Sequence, residues 1–142
     1  MIGIACDQAG YDLKLELIEH LKQRGSSYID LGTDSKDSTD YPIYAKRVAE
    51  KLLAGEIERG ILICGTGIGI SIAANRYEGI RTALCHDTFS AKATRLHNDA
   101  NILAMGARVI GTSLAIEILD AFLDTPFSNE DRHIRRINLI ER

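Results

Sequence analysis

Short apolar runs alternate along this chain with segments of helical period. Residues 2–6 form a nearly continuous apolar run, which Asp7-Gln8-Ala9-Gly10 breaks. Over residues 11–24, Leu13, Leu17, Ile18 and Leu21 recur at helical spacing, and Gly25 follows as a natural stop. Residues 28–31 predict a second strand, and the polar stretch 32–40 has no periodicity. Pro42 suits the first turn of a helix whose face is marked by Tyr44, Val48 and Leu52. Residues 61–64 are continuously apolar, the pattern of a strand buried on both faces of a parallel sheet. A short helix of small residues through Asn75, a strand over 80–85, a helix over 88–97 and a fifth strand within 101–110 follow. Thr112 or Ser113 is positioned to cap a helix with the face Ala115, Ile118, Leu119 and Phe122. After Pro126 the tail 129–142 carries Ile134, Ile137 and Ile140 along one side.

Strands alternating with helices at this spacing predict one α/β domain over residues 1–142. Its form is a Rossmann-like three-layer αβα sandwich around a five-stranded parallel sheet. There is no internal repeat and no linker. Composition adds mainly exclusions. A chain of 142 residues with 45% hydrophobic and 26% charged residues can supply one core. A net charge of −3 and a pI near 5.8 argue against nucleic acid or an anionic membrane as partner. No apolar stretch approaches the ~20 residues needed to span a bilayer. The first residues lack the features of a signal peptide, so the cytoplasm is the expected address. Three cysteines without a CxxC pair disfavour a disulfide framework or a zinc ribbon.

Ligands of open parallel sheets bind beyond the carboxyl ends of the strands. Cys6-Asp7-Gln8, Cys64 and Cys85-His86-Asp87 all fall there. Cys6 and Cys85 read as small buried thiols packed at strand ends, inert by burial. Cys64 differs, because Gly65-Thr66-Gly67-Ile68-Gly69 follows it and opens a helix. Glycines let backbone N–H groups converge on an anion, and a helix N-terminus adds positive potential. The same field draws a thiol from its usual ~8.5 towards neutrality, where it can serve as base or nucleophile. A tight turn would explain one of the three glycines. The loop lacks the Gly-Lys-Ser/Thr of a phosphate-binding P-loop, and its G-x-G-x-G spacing fits the dinucleotide fingerprint poorly. Asp87, about 20 residues on, stands where a ribose-binding acid would, which keeps a nucleotide-binding module as a rival.

Two further constellations carry chemistry. His97, in Arg95-Leu96-His97-Asn98-Asp99-Ala100-Asn101, suits a general acid or base, with a capping or surface role as the even alternative. Arg132 and Arg136 share a helical face opposite the isoleucines and suit a phosphate, although a solvated face paired to Asp131 or Glu130 is the simpler reading. Arg108 is a candidate of the same kind. His20 reads as a surface residue. His86 and His133 have no partner at metal-ligand spacing, so no metal site is inferred.

Taken in order, these segments resemble the ribose-5-phosphate isomerase B / galactose-6-phosphate isomerase family of sugar-phosphate isomerases. The resemblance rests on Cys6-Asp7-Gln8-Ala9-Gly10, Thr39-Asp40-Tyr41-Pro42, the run from Ile63 to Asn75, His97-Asn98-Asp99-Ala100-Asn101, and residues 132–136. The specific part is Cys-Gly-Thr-Gly-x-Gly-Ile-Ser. It implies aldose–ketose isomerisation through an enediolate, without metal or organic cofactor. By place in the motif, Cys64 would be the base between C1 and C2. Gly65, Gly67, Ile68 and Gly69 would supply the anion hole, and Thr66 would assist proton transfer at the oxygens. His97 would open the sugar ring with Asn98 beside it. Asp7, Gln8 and Tyr41 would contact the sugar, and Arg108, Arg132 and Arg136 the phosphate. The family forms homodimers, often paired further, with each site completed by the second subunit. The isoleucine stripe of the tail fits that expectation, since it must be covered, here by a partner subunit.

Gln8 departs from the histidine common at this place among ribose-5-phosphate members. Glutamine can donate a hydrogen bond but cannot titrate. Allose 6-phosphate and galactose 6-phosphate therefore stand as alternatives to ribose 5-phosphate. A non-catalytic nucleotide- or sugar-phosphate-binding module is the rival from another class. A redox sensor built on Cys64 comes third, since no resolving cysteine lies nearby in sequence.

Overall fold

The computed structural model describes residues 1–141; Arg142, the end of the expected tail helix, lies outside the described residues. Five parallel strands lie in the order β2-β1-β3-β5-β4. They are β1 (Ile2–Cys6), β2 (Tyr28–Asp30), β3 (Arg59–Cys64), β4 (Thr82–Leu84) and β5 (Ile102–Gly106). The helices are α1 (Tyr11–Gln23), α2 (Tyr41–Leu53), α3 (Ile68–Ala74), α4 (Thr88–Asn98), α5 (Thr112–Asp124) and α6 (Asp131–Ile140). A single 3-10 turn, Gln8–Gly10, joins β1 to α1.

The three-layer expectation is met. Because strand side chains alternate between faces, β3 sends Ile61 and Ile63 to one core and Leu62 and Cys64 to the other. The first core is closed by Leu17 and Leu21 of α1, Ala91 of α4 and Phe122 of α5. The second is closed by Tyr44 and Val48 of α2 and Ile70 of α3. The chain leaves β1 towards the α1 layer and leaves β3 towards the α3 layer. Those neighbouring strands therefore diverge at their carboxyl ends and open a crevice, the switch point of the sheet.

Three local expectations change. The fourth strand keeps only Thr82–Leu84 of the six residues expected, because it is an edge strand paired to β5 alone. Gly111 occupies the N-cap of α5, and Thr112, its first residue, instead hydrogen-bonds Glu16 of α1. Within one chain α6 leaves Ile134 and Ile140 exposed. Among the described residues no helix is long and apolar enough to cross a membrane.

One polar group is built into the first layer. Lys14 stands on the buried stripe of α1, fully inaccessible, and its Nζ donates to both Asp30 oxygens (2.7 and 3.0 Å) and to the Thr33 carbonyl (2.6 Å). An ammonium held by three acceptors is tolerated in an interior where a bare one is not. It ties the end of β2, and the loop that follows, to α1.

Candidate active site

Residues from three strand ends meet in the crevice. β1 delivers Asp7, whose N–H bonds the Ile63 carbonyl of β3 (3.2 Å). Its carboxylate accepts the N–H groups of Ala9 (3.0 Å) and Gly10 (3.4 Å), which closes the 3-10 turn. Burial pushes this carboxyl above the usual range, while the two amides and Arg108 oppose the shift. Next to it, Gln8 Oε1 accepts the Thr39 N–H (3.1 Å), which fastens the polar loop 32–40 over the crevice.

β3 delivers Cys64. Its thiol is buried, and the Gly67 N–H points at Sγ across 3.1 Å. Gly67 can do this because it sits at φ +77°, a left-handed conformation that costs other residues about 1–2 kcal/mol. Space demands glycine there as well: a side-chain carbon would stand 2.7 Å from the Met105 carbonyl carbon. Thr66 Oγ1 accepts the Ile68 N–H (3.2 Å), and the hydroxyl lies on the exposed lip of the loop. Ile68 contributes backbone only, its side chain half exposed. The ring of Tyr41, at the start of α2, lies against Gly69, and the Arg108 guanidinium lies over Gly65. Asp7, Gln8, Tyr41, Cys64 to Gly69 and Arg108 thus form one cluster. The helix behind the loop is only seven residues long, so the directed N–H at sulfur matters more here than a long helix dipole.

The remaining expected site residues lie elsewhere. α4 starts at the carboxyl edge of the sheet and runs back, so His97 and Asn98 emerge at the opposite edge. There Arg81, just before β4, donates from Nε to the Asn98 carbonyl (2.9 Å) and from a terminal nitrogen to the Asp99 carbonyl (3.0 Å). Buried Arg95 holds the same turn through the Asp99 carboxylate (2.8 Å) and the Ala100 carbonyl (2.6 Å). His97 is exposed and stacks on His133 of α6, with ring centroids 4.6 Å apart and planes inclined by 20°. Burial, with His97 and Arg132 adding to it, holds His133 below its ordinary pKa. Arg132 pairs with Glu130 (3.1 Å), the simpler pairing weighed for it, and Arg136 is exposed. The single chain therefore places the expected site residues in two separate groups, at opposite edges of the sheet.

Cys6 and Cys85 are buried, and burial pushes both thiols up to about 11, in keeping with their inert reading. His20 is more than a surface residue, since Nε2 lies 2.7 Å from the Asp120 carboxylate of α5. Sequence reasoning did not single out Lys14, Arg81 or the clamping role of Arg95. The first left a visible signal, a lysine in register with Leu17, Ile18 and Leu21 on an otherwise apolar stripe.

The family model described as Ribose/Galactose Isomerase matches residues 2–140. The ribose-5-phosphate isomerase B of Escherichia coli is 49% identical over 139 residues, 98% of this chain and 93% of that protein. A solved ribose-5-phosphate isomerase B of Clostridium thermocellum has a TM-score of 0.97 at 50% identity, covering 99% of this chain and 94% of that one. A ribose 5-phosphate isomerase structure from Thermotoga maritima gives 0.96 at 50% identity, covering 99% and 96%.

Proposed function

We propose that this chain, which belongs to the ribose/galactose isomerase family, interconverts ribose 5-phosphate and ribulose 5-phosphate with Cys64 as the base. The activity class, aldose–ketose isomerisation, is that of its relatives named ribose-5-phosphate isomerase B. The observation that carries the residue assignment is the Cys64 thiol itself, seated at the switch point with the Gly67 N–H aimed at Sγ.

In the open-chain aldose, the Cys64 thiolate takes the proton from C2. The electron pair of that C–H bond forms a C1=C2 double bond, and O1 takes up the negative charge. The O2 proton then passes to O1 by way of the Thr66 hydroxyl. O2 closes to a carbonyl at C2, and Cys64 returns its proton to C1. No atom is gained or lost, and every proton has a side-chain carrier, so this route includes no metal or organic cofactor. The enediolate needs fixed N–H donors where charge develops, and the backbone from Gly65 to Gly69 is suited to supply them.

Asp7, Gln8 and Tyr41 contact the sugar in this reading, and Arg108 completes the same half-site. His97, which handles the ring-opening proton, and Asn98 come from a second copy, as do the phosphate-binding Arg132 and Arg136. The fold supports that division. α4 has eleven residues and is about 16 Å long, whereas general acid–base transfer works over about 3 Å. A second copy also has something to cover: Phe89 is 78% exposed and Ile140 63%, beside an open cleft of about 590 Å3 between β4 and α4. In this reading the assembly is a homodimer, open to further pairing, and the enzyme works in the cytoplasm.

The test is ketose formation from ribose 5-phosphate, without added cofactor, by the wild type and Cys64→Ala, beside allose 6-phosphate and galactose 6-phosphate. Turnover of the pentose by the wild type alone is the expected result. Activity confined to a hexose phosphate would keep the base and move the substrate. A folded wild type that binds sugar phosphates and turns none over would leave the binding module.

A further inference from the structure

The imidazole of His86 has a place in the fold that the route above does not use. β4 stops at Leu84, and its last backbone bond to β5 runs from Cys85 N–H to the Ala104 carbonyl (3.2 Å). Two residues further along β5, the Gly106 N–H points to the same side and meets no strand carbonyl. It donates instead to His86 Nε2 at 3.0 Å. The ring is therefore an acceptor at Nε2, which requires that nitrogen to be unprotonated. The segment carrying His86 is anchored in turn, because Asp87 caps α4 through the Ser90 N–H (2.6 Å) and hydroxyl (2.9 Å).

We propose that His86 is a positioning residue for the proton-transfer loop, acting through Gly106 on the Gly67 N–H that faces Cys64. The contact between the two segments is backbone on backbone. A side-chain carbon on Gly106 would stand 2.6 Å from the Thr66 carbonyl carbon, and one on Gly67 3.0 Å from Gly106 N. The Thr66–Gly67 peptide thus rests directly on the Met105–Gly106 peptide, without a flexible side chain to absorb a shift. On its other flank the same segment is tied to the loop by Ala107 N–H to the Cys64 carbonyl (2.9 Å) and Arg108 N–H to the Gly65 carbonyl (3.0 Å). His86 supplies the remaining tether. Without it, the end of β5 is held from one side only, and the loop that aims Gly67 at sulfur loses its floor. The imidazole touches no reacting atom, and its effect belongs to the chemical step rather than to substrate capture.

The inference rests on Cys64 being the base, and its test has one arm that needs no turnover. His86→Leu removes the acceptor, and His86→Gln restores one, since glutamine Oε1 can reach the place of Nε2. With ribose 5-phosphate, His86→Leu should lower kcat on the order of 10- to 100-fold, the cost of a small misplacement at a reacting centre, with KM within about twofold. His86→Gln should recover most of that loss. In amide spectra, His86→Leu should move the Gly106 and Gly67 resonances together, and His86→Gln should return Gly67 towards its wild-type position. An unchanged kcat in His86→Leu overturns the proposal, as does a loss confined to KM or a His86→Gln variant as slow as His86→Leu. An unmoved Gly67 resonance overturns it whether or not the wild type isomerises any sugar. If His86→Leu fails to fold, His86→Ala, which also lacks an acceptor for the Gly106 N–H, takes its place with the same two readouts and the same outcomes. A wild type inactive on every aldose phosphate would sink the isomerase reading and leave the spectral arm standing.

Discussion

Mixing two inactive variants tests the division of the site between copies. Cys64→Ala removes the proposed base from one group of residues, and His97→Asn removes the proposed ring-opening histidine from the other. The two residues stand at opposite edges of the sheet, separated by roughly the 16 Å length of α4. If each site takes Cys64 from one copy and His97 from its partner, each variant alone has only damaged sites. Refolded together at equal amounts, about half of the dimers pair one variant with the other. In those, both lesions fall in the same site and the other site is whole. About one quarter of all sites should then work at the wild-type rate.

The assay is ketose formation by the mixture, with native mass spectrometry to count mixed dimers. Cys64→Ala with Thr66→Ala is the control, because those residues share a half and their mixed dimers leave both sites damaged. Recovery near a quarter in the first mixture and none in the second is the expected pattern. Activity that stays at the parental floor while mixed dimers are present would refute the shared site. The same result would follow if Cys64 and His97 served one site within a single chain.

Other consequences follow from single contacts. Lys14→Met should cost about 3 kcal/mol in urea unfolding, since it strips a fully buried partner from Asp30 and the Thr33 carbonyl; a loss below about 1 kcal/mol would show the ion pair to be idle. Gly67→Ala should fold with a lowered melting temperature and lose about 100-fold in kcat, because both φ and the Met105 contact exclude a side chain. Cys6 and Cys85 ionise near 11 when folded and near 9 when unfolded, so the unfolded chain releases these protons first and stability falls as pH rises from 9 to 11. Each thiol accounts for at most about 2.7 kcal/mol of that fall, and Cys85→Ala should flatten the alkaline slope in denaturant titrations at stepped pH; an unchanged slope would refute the assignment.

Which residues would meet was less legible in this chain than which elements carry them. The period of the apolar pattern reports burial, and burial fixes helices, strands and layers, so Leu13, Leu17 and Leu21 or Ile61 to Ile63 announce their elements without ambiguity. The glycine loop was legible for a similar reason: positive φ and backbone contact at Gly67 leave only one residue type. His97 could not be read in the same way, because its place depends on the direction of α4, and its use depends on what packs against that end of the helix. The acceptor role of His86 is more hidden still. It arises because an edge strand stops two residues before its neighbour's last amide, a mismatch of strand lengths that no local spacing records. Sequence pattern therefore locates the chemistry that is local to one turn, such as a thiol and its loop. Chemistry assembled across a sheet edge, or from one copy to another, becomes visible only when the strand order and the helix directions are known.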